Sequence, residues 1–225
     1  MLNSMKTTIF IISLTMLIAY FTATSGITMY VLNNTAPIVS FYIVSFITMI
    51  GYLFMLAVQA AVRIIYTNKK LKGTGVIAKL PVKTMRFVDK LVVYSFPVVL
   101  TLLPVFRKGV LDEYAIAAVI CIIVLIIILE ILFYLNRSTM NLYITNMGLA
   151  IKGIDLRLDT PLPSNYKNAT GFYGFERLQS FMDLNDRLIL HQSYDAGIIE
   201  IVADRDELNK IKSLLLSKQV VERKR

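Results

Sequence analysis

KKLKGTGVIAKLPVKTMRFVDK, Lys69 to Lys90, joins two long apolar runs, and seven of its residues are Lys or Arg against the single acidic Asp89. How this stretch is read decides the fold, because it fixes which parts of the chain share a compartment. Extended back to Arg63, the segment holds eight basic residues and one acidic, a net of +7 out of a chain total of +9. Lys- and Arg-rich loops resist transfer across a bilayer, so a connection of this composition stays on the cytoplasmic side. A basic chain often binds nucleic acid, but here the surplus is confined between apolar runs, and the membrane explanation takes its place. Lys69, Lys70, Lys72, Lys79, Lys83, Arg86 and Lys90 are therefore the residues expected to set topology. Anionic lipids of the inner leaflet are the partner such a loop would attract, at roughly 1 kcal/mol per cation near the surface. Val76, Ile77, Leu80, Met85 and Phe87 are interleaved with these charges and are placed to dip into the interface.

Working outward, the apolar run upstream of the basic segment is Pro37–Val62, and before it comes Thr7–Leu32, without a charge. At about 1.5 Å per residue each is long enough for a hydrocarbon core of about 30 Å. A signal peptide is the competing reading of the first run, with Lys6 ahead of it and Ala23-Thr24-Ser25 as a weak cleavage-like site. The apolar stretch continues well past that site, so the helix is expected to be retained. Downstream lie Leu91–Phe106, short and interrupted by Pro97 and Pro104, and Tyr114–Leu135, almost wholly aliphatic apart from Glu130. Membrane helices tolerate proline when neighbours take up the freed carbonyls. A re-entrant hairpin is the alternative for 91–106.

Four spans at 7–32, 37–62, 91–106 and 114–135 place every loop consistently. The 33–36 loop is uncharged and lies outside, as does FRKGVLDEY, whose two basic and two acidic residues balance. Lys6, the 63–90 loop and Arg137 lie inside, so both termini are expected in the cytoplasm.

After Leu135 the composition becomes that of a soluble domain, with 13 basic and 11 acidic residues from 136 to 225. LYIT and LAIKG flank the turn Asn146-Met147-Gly148 and read as a hairpin. Residues 155–170 hold two prolines and several turn formers, expected to be a loop with a short strand near its start. GFYGFERLQSFMDL reads as extended structure broken near Gly174. RLILHQ and IIEIVA read as strands, bounded by Asn185-Asp186 and Asp195-Ala196-Gly197. Asp204 with Glu207 forms a capping-box pattern before a helix whose apolar stripe is Leu208, Ile211, Leu214 and Leu215. The domain expected over 136–225 is thus α+β: about six antiparallel strands closed by a C-terminal helix.

The order of LYITNMGLAIKG, GFERLQSFMDLNDRLILHQ and IIEIVADRDELNKIKSLL resembles that of bacterial PH-like domains in small multi-pass membrane proteins. The resemblance covers about 40 per cent of the chain. It implies a binding or scaffolding module without a cofactor. The Ile-, Lys- and Asn-rich usage is also that of bacteria with AT-rich DNA, an association rather than a physical inference.

Residues able to do chemistry are scarce, and no enzymatic activity is expected. One cysteine, Cys121, and one histidine, His191, build neither a disulfide nor a metal cluster. His191 has no nucleophile patterned with it. Gly73-Thr74-Gly75 lacks the spacing of a phosphate loop. Asn136-Arg137-Ser138 and Asn168-Ala169-Thr170 match the glycosylation pattern but fall on the cytoplasmic side. Gly26 and Gly51, with small neighbours, are candidates for close helix approach. Glu130 is an ionisable group in a membrane helix, which marks function by default; its position near the helix end favours an ion pair with Arg137, Arg86 or Lys90.

The function expected is a membrane-anchored interaction or scaffold module, with an unidentified membrane or cytoplasmic protein as partner. Envelope-stress sensing, immunity to a secreted peptide and secretion are processes of this class. The alternative is an oligomeric transporter or channel component, motivated by Glu130 and the two prolines. A lipid-acting enzyme ranks last because Asp89, Glu130 and His191 are scattered.

Overall fold

The computed structural model describes residues 2–82, 85, 87–108, 111–158, 167–193 and 197–223. Four long helices come first: α1 (Leu2–Asn34), α2 (Pro37–Leu71), α3 (Phe87–Lys108) and α4 (Leu111–Thr139). Among the described residues three of them are long and apolar enough to cross a membrane, at Thr7–Asn34, Pro37–Leu71 and Tyr114–Thr139. That corrects the expected four. The stretch between the charges at the two ends of α3 is only 91–106, about 24 Å of helix against a core of about 30 Å. Pro97 is accommodated without ending α3, which runs from Phe87 to Lys108.

Each helix pair is tied by a specific contact. α1 lies against α2 where Gly51 leaves no room for a side chain: a Cβ there would sit 2.8 Å from the Tyr20 ring. Gly26 has open space instead, so of the two glycines only Gly51 permits close approach. Gln59 Nε2 donates to Ser13 Oγ across the same interface at 3.0 Å, both side chains buried. Tyr52 donates its hydroxyl to the Val93 carbonyl and joins α2 to α3. Met49, Met55, Leu56, Leu125 and Leu129 fill the space between the helices.

α2 does not stop where its apolar stretch ends at Val62. It continues to Leu71, about 14 Å further along the axis. The turn at Gly73, in the left-handed region at φ 89°, then delivers the chain to β1 (Val76–Pro81). The segment expected as a basic loop therefore contains two turns of helix and a strand. β1 pairs antiparallel with β2 (Asn141–Thr145), placing Leu80 opposite Leu142. With β3 (Gly148–Lys152) and β4 (Gly171–Gly174) these form one sheet in the order β1-β2-β3-β4. A second sheet has the order β7-β6-β5-β8, from β5 (Leu178–Asp183), β6 (Arg187–Gln192), β7 (Ile198–Val202) and β8 (Val221–Glu222), the last parallel to β5.

The two sheets enclose one apolar core. Inward positions alternate along the strands, most clearly in RLILHQ, where Leu188, Leu190 and Gln192 are buried. Leu80, Leu142, Ile144, Leu149, Phe181 and Ile199 meet there. α5 (Arg205–Ser217) covers it with Leu208, Ile211 and Leu215, while Leu214 is only partly buried. Asp204 occupies the N-cap of α5, but its side chain makes no capping hydrogen bond, contrary to the capping-box expectation. The expected turn at Asn185 is present, with φ 65° and its N–H donating to Asp183 Oδ1. Of the turn at 195–197, only Gly197 lies within the described residues.

Candidate functional site

No strand forms at 155–158, where a short one was expected. The chain there instead threads the seam between helices and sheets with alternating side chains. Leu156 is buried in the helix core, with Ile154 and Leu158 packed against it. Asp155 and Arg157 project the other way and are almost fully buried, at 2% exposure each. From α2, Arg63 enters the same seam at 3% exposure. Its guanidinium donates to the carbonyls of Asp155 and Arg157, each at 2.6 Å, and its charge lies 3.9 Å from the Asp155 carboxylate.

Asp155 and Arg157 form a two-point pair. Arg157 Nε donates to Oδ1 at 2.9 Å and its terminal nitrogen to Oδ2 at 2.7 Å. Arg157 also donates to the carbonyls of Lys167 and Asn168. Thr170 donates both its backbone N–H and its hydroxyl to Asp155 Oδ2. Asn168, held at φ 53°, carries the network to β7, accepting from the Glu200 N–H and donating to the Glu200 carbonyl. Burial by itself would push the Asp155 carboxyl up; the charges of Arg157 and Arg63 and the hydrogen bonds outweigh it and hold it well below the usual carboxylate range. For Arg157, burial disfavours the charge, and Asp155 together with buried Asp89 at the start of α3 more than restores it.

This constellation has the buried, perturbed groups of an active site without a free reacting atom. Both Asp155 oxygens are occupied by protein donors, so the carboxylate has no lone pair directed at a substrate. Its chemical capacity is mechanical: it ties α2, the 154–158 seam and β7 into one body. Breaking such a buried network costs more than forming it stabilises, because the surviving charge stays desolvated.

A second charged group lies between α3 and α4. Glu130 of α4 is paired with Lys90 at 3.2 Å and accepts from the Tyr94 hydroxyl. Lys90 also stands 4.7 Å over the Phe133 ring, and Phe133 meets Tyr94 edge to face at 5.5 Å. Of the three partners foreseen for Glu130, the structure selects Lys90. Arg137 forms no ion pair with it among the described residues, and Arg86 lies outside the described residues, as does Lys83.

The remaining expected residues are dispersed. Lys69 and Lys70 end α2, and Lys72 follows its last turn, about 10–15 Å along the axis beyond Val62. Lys79 projects from β1 over the Tyr143 ring. Leu80, expected at the lipid interface, is in the sheet core instead, whereas Val76, Ile77 and Phe87 are exposed. His191 sits on β6 opposite Ser180, and no hydrogen bond or ion pair joins the two side chains among the described residues. Asn136 and Asn168 are buried and hydrogen-bonded, so neither glycosylation pattern is presented to an enzyme. The seam residues Arg63, Asp155 and Arg157 match no motif in the sequence. Their signal is the alternation in IDLRL, which separates an apolar from an ionic side.

No protein-family model, no curated protein and no solved structure matches this chain.

Proposed function

We propose that this protein is a membrane-anchored interaction module that presents a PH-like domain at a fixed height and angle on the inner face of the membrane. The observation that carries it is the shortness of the connection: α2 continues from its apolar stretch past the buried Arg63 seam to Leu71, and only the four-residue turn 72–75 separates it from β1. A domain that only needed tethering would do with a flexible connection. One joined this rigidly holds a docking surface in register with the bilayer. The order of a four-stranded antiparallel sheet, a second sheet and a closing C-terminal helix supports the PH-like assignment. The occupied state of Asp155 supports a binding rather than a catalytic role.

The sheet also bears on topology. β1 follows α2 and β2 follows α4, and the two strands are hydrogen-bonded neighbours, so the ends of α2 and α4 lie on one side of the membrane. If α4 crosses, the chain must first reach the far side between Pro81 and Leu111, and α3 is the segment available. The uncharged part of α3, 91–106, measures about 24 Å, so a fourth crossing needs its charged ends at the headgroup level of a locally thinned bilayer. The strand pairing, not the length of α3, is what supports four crossings over a re-entrant hairpin.

A transporter or channel component is the second reading, favoured by a cavity of about 320 Å³ at the opposite end of the bundle, lined by Thr35, Ser40, Ser45, Thr48, Thr101 and Tyr114. Below it Tyr52, Met55, Leu56 and Leu125 are packed closed, so a path through one chain is not formed, and Glu130 is engaged in an ion pair. The two readings separate by experiment. Full-length protein purified gently from native membranes should carry a reproducible partner, which a membrane-inserted Leu80→Asp variant loses. A partner retained by that variant, or ion flux in vesicles abolished by Glu130→Gln, would favour the transporter.

A further inference from the structure

A groove of about 420 Å³ opens where α4 leaves its apolar stretch, lined by Met85, Lys90, Glu130, Phe133, Asn136 and Arg137. Its volume falls within the range of about 300–1,000 Å³ typical of small-ligand sites. Lys90 is neutralised by Glu130, whereas Arg137 is exposed and has no hydrogen-bond or ion-pair partner among the described residues. The lining therefore carries one uncompensated positive charge. Asn136, tied to the Ile154 carbonyl at 2.6 Å, forms a fixed upper wall. On the membrane side of the groove the surface is apolar and open, with Ile131 57% and Tyr134 73% exposed on α4 and Leu91 exposed on α3. The site thus has a cationic end at the level where the apolar run stops and an uncovered hydrocarbon wall beneath it.

We propose that this groove binds one anionic glycerophospholipid. Arg137 takes the phosphodiester, with Lys90 as a neighbouring donor, and the acyl chains lie along the exposed apolar faces of α3 and α4. One phosphodiester offsets the single surplus charge of the lining. A zwitterionic headgroup would add a cation beside Lys90 and Arg137. An aromatic rim of Phe133 and Tyr134 suits the headgroup level, where such rings sit with one end wet. This site is distinct from diffuse attraction to the Lys69–Lys72 cluster, which lies further from the apolar stretch. It rests on α4 being a membrane helix and deepens the anchoring role, because the lipid would bridge the bilayer to the last turn before β2.

The test is native mass spectrometry of the full chain in detergent, titrated with phosphatidylglycerol, phosphatidylethanolamine of the same acyl chains, and soluble glycerol phosphate. One phosphatidylglycerol should bind at least tenfold more tightly than phosphatidylethanolamine, and glycerol phosphate should not compete. Arg137→Ala should weaken phosphatidylglycerol about tenfold, Arg137→Lys less, with unchanged far-UV circular dichroism. Replacing Lys69, Lys70 and Lys72 together with Gln should leave binding within twofold. Wild-type affinity in Arg137→Ala, an equal loss in the triple variant, or competition by glycerol phosphate would each overturn the proposal. The readout in detergent does not depend on which face of the membrane carries the sheets, so its failure is separable from failure of the module reading.

Discussion

At the scale of single residues, Arg63, Asp155 and Arg157 carry the join between the apolar helices and the sheets. Arg63 reaches two backbone carbonyls with one planar guanidinium, a geometry that a lysine ammonium cannot reproduce. Arg63→Ala removes one member of a buried charged network, for which about 3–5 kcal/mol is the usual cost. Asp155 makes the same seam sensitive to acid. Its carboxyl titrates lower in the folded state than in the unfolded chain, so its contribution is fully present above the unfolded value near about 3.9 and is lost as pH falls through the lower folded value. Asp183 acts in the same direction, chiefly because Arg205 donates to it, with the Asn185 N–H and Lys212 adding to the effect. The thermal midpoint of the sheet domain, followed by far-UV circular dichroism in detergent, should fall steeply below about pH 4. Asp155→Asn should lower the midpoint at neutral pH and flatten the dependence. A variant with the wild-type acid profile would show that the seam does not govern acid stability.

At the scale of elements, β1 is the strand whose origin matters most. Its partner β2 begins sixty residues later, on the far side of two helices, yet Leu80 is buried at the centre of the sheet core. Leu80→Ala is expected to cost about 2–4 kcal/mol, the range for a buried leucine. Ile77→Ala, on the exposed face of the same strand, should stay within about 0.5 kcal/mol. Chemical denaturation of both variants measures the contrast, and equal effects would mean that β1 does not pack as described. By the same reasoning a fragment of residues 136–225 lacks both β1 and the end of α2, and should not form the native domain alone. Strand alternation in RLILHQ and the stripe of α5 were legible because the relevant period is local. β1 was not, because VIAKLP between lysines carries no local mark of a partner so distant. The seam at 154–158 was missed for a related reason: two prolines and several turn formers downstream marked the stretch as loop, while its alternation has meaning only once helices and sheets are stacked on its two sides.

At the scale of the whole molecule, pairing between β1 and β2 constrains topology as firmly as charge does. Reporter tags in the 33–36 loop and after the last residue should report opposite compartments, with the terminal tag cytoplasmic. A third tag between α3 and α4 should report the same side as the 33–36 loop. The same side for this third tag and the C-terminal tag would make α3 and α4 a re-entrant pair and remove the four-crossing arrangement, although the domain itself would stand.

What the sequence by itself determined are the properties that depend on composition and short-range period. Long uncharged runs form helices apolar enough to cross a membrane, and alternating residues form sheet; neither needs a distant partner. Only the tertiary structure decided that the basic connection supplies a strand, that Glu130 pairs with Lys90, and that Arg63 meets Asp155 and Arg157 in a closed network. Those outcomes rest on contacts between residues 40 to 94 positions apart. The free energy of such contacts comes from burial and mutual desolvation, and these exist only once the chain has brought the groups together.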